Sequence, residues 1–391
     1  MIDVAHARTT RALVRAEAAP IAFLRRLDWI LLLAAVGLAA YGLWVVAGIT
    51  RYDVPGDESY FVVRQAFALG VGLVGLVAAT LLPLRLLRRH WKLLYVATLA
   101  LMGVVILLAE AIRGSKRWLD LGVIQFQPSE LGKVLFVLAI AGFLVERSSR
   151  VTQWRTLVAA LGLAAVPMLL VFLQPDLGTA LVYGASLLAV LFFVGVRWRQ
   201  LALLLAVGAI GIASVLWILP GAGIQVLKPY QAARLTLDPG ADPSGVTYNL
   251  DQSITAVGSG GLTGRGVVEA SQTRLDYLPE HATDFAFASL AEQRGFVGSS
   301  ILLLLYLLVV WRALRVITVA GDLYGAAVAG GLVFAFLFQV FVNVGMTMGI
   351  APVTGIPLPF VTVGGSSLVT SLIAIGVLQS IHARGQAGRG T

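Results

Sequence analysis

The sequence contains no cysteine, which excludes disulfides, thiol nucleophiles and cysteine-ligated metals. It is also poor in charge. Charged residues make up 13 % of its 391 positions and hydrophobic ones 58 %, where a soluble domain carries about 25 % charged residues. The mean hydropathy is +0.88. A soluble globular protein does not have this composition; a chain that crosses a membrane many times does. Acidic residues are scarce, 20 against 29 Lys and Arg. The surplus of +9 lies in short stretches between apolar runs, so nucleic acid is not the expected partner. Internal repeats are lacking, both at solenoid periods and between the two halves. No cleavable signal peptide is expected, because residues 1–26 are polar and Arg-rich and the first apolar run is of full length.

What is present is a series of such runs. A membrane-spanning helix needs about 20 mostly apolar residues. Ten segments qualify, near 27–48, 61–82, 91–110, 129–146, 155–173, 178–196, 201–220, 284–311, 324–348 and 364–382. The expected fold is an all-α polytopic membrane protein with a tail at 1–26, a membrane domain at 27–383 and a tail at 384–391. Its longest loop, 221–283, lies between the seventh and eighth helices. Eighteen Lys and Arg fall on the side of the N-terminus and nine on the other, with Lys133 and Arg294 inside spans. This bias places both termini in the cytoplasm. The long loop keeps Ile224, Val226, Tyr230, Tyr248, Ile254, Val257 and Tyr277, more apolar and aromatic residues than a disordered segment carries, so an ordered loop against the membrane is expected.

The polar residues that defy this composition are the candidate site. "GSKRWLDLG" (114–122) sets Lys116 and Arg117 beside Trp118 on the outer side. They read either as an interfacial anchor or as a clamp for a phosphorylated lipid headgroup, where arginine supplies bidentate contacts. In "QPSELGK" (127–133), Pro128, Ser129 and Glu130 suit a helix N-terminus. Lys133 lies one turn deeper, on the same face as Glu130, and the two can pair. Charged groups inside a span are costly and usually face a cavity or a partner.

"LPEHATDF" (278–285) brings Glu280, His281 and Asp284 to the mouth of the eighth span, with Glu292 and Arg294 farther in. Asp284 suits a helix cap, but Thr283 would cap as well. A carboxylate held between bilayer and water is also a proton acceptor. A lone histidine such as His281 is ordinarily just hydrogen-bonded. "GSGGLTGRG" (258–266) reads as flexible turns or as backbone approaching a ligand. "GIPLPFVTVGGSS" (355–367) reads as a re-entrant segment, with Asn343 and Ser366 as polar contacts.

These motifs, together with "QPDLGTAL" (174–181), "KPYQAARL" (228–235), "YNLDQSITAVGSGGLTGRG" and "VNVGMTMGIAPVTGIPLPFVTVGGSS", resemble the SEDS family (shape, elongation, division and sporulation proteins) over residues 27–383. "PVTGIPLPF" and "RLDWILL" are closer to its RodA (elongation) branch than to its FtsW (division) branch. The resemblance implies a bacterial inner-membrane peptidoglycan glycosyltransferase that polymerises lipid II beside a class B penicillin-binding protein. It implies Asp284 as the essential aspartate, acting as general base on the acceptor sugar. Arg117, Lys133 and Lys116 would offset the charge of the leaving diphosphate. Trp118, Glu130, Gln252, Ser253, Glu280, Asn343 and Ser366 complete the substrate-binding set. No cofactor is demanded; a divalent cation (Mg or Mn) could share the diphosphate charge, although no dedicated metal cluster is visible. The chain departs from the family pattern at Ala282, where the family has histidine, at "EQRG" (292–295) and at "TVGGSS" (362–367). Two other readings remain. One is a lipid II flippase or transporter using Glu130, Lys133 and Glu292 as a relay; the other is a scaffold whose outer charges are dispensable.

Overall fold

The computed structural model describes residues 23–108, 117–120, 122, 125–227 and 245–389. Lys116 and the "KPYQAARL" motif lie outside them. In chain order the long helices are α1 (Trp29–Ile49), α2 (Tyr60–Leu81), α4 (Trp91–Leu108), α5 (Pro128–Glu146), α6 (Trp154–Leu173), α7 (Leu177–Val194), α8 (Trp198–Ala213), α12 (Ala286–Val319), α13 (Leu323–Thr347) and α14 (Gly365–Arg389). A short α3 (Leu84–Arg89) links α2 to α4, and α8 runs on through a π-helical turn at Ser214–Ile218. Among the described residues nine helices are long and apolar enough to cross a membrane, and α4 is a shorter apolar tenth. The ten expected spans are therefore all helices, with ends within a few residues of expectation except at α12 and α14, which run on at their C-terminal ends. The one β element among the described residues is a two-residue ladder, β1 (Leu119–Asp120) antiparallel to β2 (Gln125–Phe126).

The starts of several helices are set by short acidic side chains. Asp28 accepts from Leu31 N at 3.0 Å, Asp176 from Thr179 N at 3.1 Å and Asp322 from Gly325 N at 2.8 Å; each satisfies a donor that the first turn leaves open. Inside the bundle α5 is buried along nearly its whole length. Small residues let helices meet closely, as in other membrane bundles: a Cβ on Gly376 of α14 would lie 2.3 Å from the Leu76 carbonyl of α2.

Two ends of the bundle can be told apart. At the terminal face, the start of α1 meets the ends of α12 and α14. Buried Asp28 receives Arg312 through Nε (3.1 Å) and Nη2 (2.7 Å), while Gln379 bonds its backbone N–H and C=O at 2.9 and 2.8 Å. The opposite, loop face carries β1–β2, the segment 348–364 and the described part of the long loop. That part is ordered, as expected: α9 (Val246–Ser259), α10 (Gly266–Glu269) and α11 (Ser271–Arg274) fold over α12, and Ala256, Leu278, Phe285, Ala288, Met346 and Val353 form a small core of their own.

The eighth span differs from expectation. It begins at Ala286, and the helix breaks at Gly295, whose φ is 64° and ψ −161°. Glu292 and Arg294 thus lie in a lead-in ahead of the break, on the loop side of the apolar stretch that follows.

Candidate active site

Asp284 sits in the non-helical turn before α12, partly buried. It is not the helix cap: Phe285 occupies that position and makes no side-chain cap bond. The turn is instead gripped through its backbone. The carbonyls of His281, Ala282, Thr283 and Asp284 accept, in order, from Ser289 Oγ (3.2 Å), Val363 N (2.9 Å), Thr362 Oγ1 (3.1 Å) and Asn343 Nδ2 (3.0 Å). Asn343 also donates to the Ile356 carbonyl at 2.8 Å. Glu280, in the left-handed region at φ 56°, accepts from Thr283 Oγ1 at 2.8 Å. Four successive carbonyls held from α12, α13 and the 355–367 segment leave the peptide at Asp284 little freedom.

That segment is irregular backbone covered by protein, one of the settings in which irregular backbone is tolerated at membrane depth. Ile356, Leu358, Phe360 and Val361 are buried, and Tyr306 donates its hydroxyl to the Pro359 carbonyl. The segment also reaches a second polar group. Ser366 Oγ accepts from Gln127 N and donates to the Gln125 carbonyl, both at 2.8 Å. Gln127 Nε2 donates to Asp176 at 2.9 Å, and Arg117 lies 3.9 Å from Asp176. Arg117 further donates from Nε to the Gln174 carbonyl at 3.0 Å and from Nη2 to Pro175. The N-termini of α5, α7 and α14 are thereby tied together, and helix N-termini favour anions. Glu130 and Lys133 form the expected pair, 2.8 Å apart and buried. Ser129 Oγ and Ser367 Oγ, at the same helix starts, are buried with no hydrogen-bond partner among the described residues. Residues 362–366 therefore touch both groups, Asp284's turn through Thr362 and Val363 and the Gln127–Asp176–Arg117 group through Ser366.

Other expected contacts have different places. Ser253 is fully buried and donates to the Thr347 carbonyl at 2.8 Å, docking α9 on α13. Gln252 is its partly buried neighbour, and Trp118 is partly buried beside Arg117. Glu292 is engaged by the long loop: it accepts from Gln272 N, Thr273 N and Thr273 Oγ1 at 2.7–2.9 Å, clasping α11. The glycine-rich stretch is tied to α12 through its backbone. Its backbone repairs the break in α12, with Arg265 N donating to Glu292 O (2.9 Å), Phe296 N to Gly261 O (2.9 Å) and Val297 N to Leu262 O (3.1 Å). A Cβ on Gly264 would lie 2.3 Å from the Gln293 carbonyl. Among the described residues no three His, Asp or Glu side chains are grouped so as to hold a metal ion.

The family described as "Cell cycle protein" (FTSW_RODA_SPOVE) matches residues 25–387. The chain belongs to this family. It is 38 % identical over 358 residues to "Peptidoglycan glycosyltransferase MrdB" of Escherichia coli (strain K12), covering 91 % of this chain and 93 % of that one. It is 36 % identical over 357 residues to "Stage V sporulation protein E" of Bacillus subtilis (strain 168), covering 90 % and 94 %. Among solved structures, a chain from "Structural coordination of polymerization and crosslinking by a peptidoglycan synthase complex" superposes with a TM-score of 0.76 at 32 % identity, covering 92 % and 98 %. The rod shape determining protein RodA of Thermus thermophilus superposes with a TM-score of 0.65 at 28 % identity, covering 91 % and 96 %. The resemblance carried by the motifs is thus a true relationship, and the chain is a multi-pass membrane protein.

Several residues of this family member escaped the sequence reading. Asp176, Gln127 and Thr362 organise the site, and only the "QPDLG" and "FQPSELG" motifs hinted at the first two. His281 is also more than an isolated histidine. Its Nε2 lies 3.0 Å from Asp53 Oδ1 in the α1–α2 loop and its Nδ1 3.5 Å from Asp276 Oδ1. Burial alone would lower its pKa, but Asp53, Asp276 and the Leu278 carbonyl outweigh burial and hold it above the ordinary value.

Proposed function

We propose that the protein is a peptidoglycan glycosyltransferase of the elongation type, which polymerises lipid II into linear glycan at the outer surface of the bacterial inner membrane. The terminal face, rich in Lys and Arg, lies in the cytoplasm with both termini, and the loop face lies outside. A class B penicillin-binding protein cross-links the product. The observation that carries this reading is the Asp284 turn, fixed by four carbonyl bonds and joined by residues 362–366 to the paired Arg117–Asp176 and Lys133–Glu130 side chains at three helix starts.

Lipid II keeps its undecaprenyl tail in the bilayer while its sugars react at the surface, so a base at the lip of a span can reach them. Asp284 takes the proton of the acceptor GlcNAc 4-hydroxyl. The oxygen's electron pair forms a bond to C1 of the donor MurNAc, with inversion, as the C1–oxygen bond to undecaprenyl diphosphate breaks. Lys133, Arg117 and the α5 and α14 N-termini offset the negative charge that develops on the diphosphate. Arg117 also keeps the 174–176 turn in place. A divalent cation bound with the substrate would neutralise further charge on the diphosphate.

The test is chemical. In detergent, with its transpeptidase partner, the protein should convert lipid II to glycan that stays uncross-linked under a β-lactam. Detergent removes the two leaflets, so a transporter cannot score. If no polymer forms with partner and divalent cation present, while liposomes show lipid II translocation, the reading fails.

A further inference from the structure

We infer that His281 is a positioning residue for Asp284, clamped between Asp53 of the α1–α2 loop and Asp276 of the long loop. The inference rests on Asp284 being the base. Both ring nitrogens face carboxylates, Nε2 at 3.0 Å and Nδ1 at 3.5 Å. A neutral imidazole can donate from only one nitrogen, so this arrangement suits the imidazolium and leaves no lone pair for base catalysis. The ring is largely shielded, 12 % exposed, in the same peptide run as Asp284. Its own carbonyl is the first of the four that fix the turn.

The α1–α2 loop is itself built to hold Asp53 against this run. Arg51 pairs with Glu58 at 2.8 Å, Asp57 bonds Ser59 N and Oγ at 3.0 and 2.9 Å, and the Arg274 guanidinium lies 5.5 Å from the centre of the Tyr52 ring. The loop thus meets α11 through Tyr52–Arg274 and the run carrying Asp284 through Asp53–His281.

The charged groups that interact with the imidazole are Asp53 and Asp276. Glu280 is bonded by Thr283, Glu292 is occupied by α11, and residues 348–364 carry no charge. The clamp therefore depends on the His281 charge. A histidine whose folded pKa is raised lends its stabilisation fully below its unfolded value of about 6.5 and loses it as pH rises through the folded one. Activity should fall on the alkaline side as the clamp opens.

The experiment measures lipid II polymerisation by the partner complex from pH 5.5 to 9 with His281→Gln, His281→Arg, Asp53→Asn and the Asp53→Asn/His281→Gln double variant. His281→Gln and Asp53→Asn should each lower kcat by about 10- to 100-fold, the cost of a misplaced reactive group, with KM little changed. The double variant should be no worse than the weaker single one, because both break one contact. His281→Gln should lose the alkaline limb, and His281→Arg should lose it while keeping more activity than His281→Gln. Asp53→Asn, in a surface loop, serves should the His281 variants not fold. Additive losses, or a wild-type pH profile in His281→Gln, overturn the inference. An active Asp284→Asn instead overturns the base assignment, so the two failures are distinguishable.

Discussion

Thr273 and Glu292 are joined twice: backbone N–H and hydroxyl of the one donate to a single carboxylate oxygen of the other, at 2.9 and 2.7 Å. Glu292 Oε1 takes Gln272 N as well, at 2.8 Å. The carboxylate is fully buried and surrounded by donors alone, so an amide there would turn its own N–H groups toward one set of them. Glu292→Gln should destabilise the protein by about 1–3 kcal/mol, the cost of leaving a buried polar group unpaired, and expose residues 260–275 to protease. Thermal unfolding and limited proteolysis check this. A proton relay predicts the reverse, an intact but inactive protein.

Asp284→Asn keeps the size of the side chain and leaves the four backbone bonds of its turn in place. Insertion and partner binding should be normal, with polymerisation reduced by about 10²–10⁴-fold, the usual contribution of a general base. Near-normal glycan synthesis on purified lipid II would remove Asp284 from the mechanism.

The Glu130–Lys133 pair separates stability from activity. Removing one partner strands a buried charge, which costs about 3–5 kcal/mol, so Glu130→Gln and Lys133→Met should each lower the unfolding temperature. The double variant removes both charges and should recover stability. It should nevertheless stay inactive, because the cation that opposes the leaving diphosphate is gone. A double variant with full activity would assign the pair to structure alone.

Gly264→Ala tests the mended break in α12. At φ 83°, with the Gln293 carbonyl 2.3 Å from the new Cβ, the left-handed conformation alone costs about 1–3 kcal/mol, and the contact adds to it. Gly258, in the same glycine-rich stretch, has no described residue within 4 Å of its Cβ position, and alanine there should be tolerated. Equal behaviour of the two variants, measured by melting temperature, would return this stretch to the status of a loose turn.

The ten helices were legible because a span is written in composition over about 20 residues, and no partner is needed to recognise it. Glu130 and Lys133 were legible because their pairing is local, three residues apart on one helix face. Asp284 was legible as a candidate but not in its setting. Its cap reading failed because α12 starts two residues later, and the supports of its turn come from Asn343, 59 residues from Asp284, and Thr362, 79 residues from Thr283. Nothing local to Asp53 announces His281, 228 residues on, nor does Asp28 announce Arg312. The glycine-rich stretch misled for the same reason: its partner is the backbone of another helix, which composition does not record.

The gripped turn has a consequence for how a polymer could be made. With four carbonyls fixed, the proposed base cannot follow a moving substrate. After each sugar is added, the strand must therefore be the part that steps, sliding by one disaccharide past a stationary carboxylate while the spent lipid departs sideways through the bilayer. Strand length would then depend on how firmly the surfaces beyond Asp284 hold the product between steps, and would be tuned by substitutions that leave the chemistry untouched.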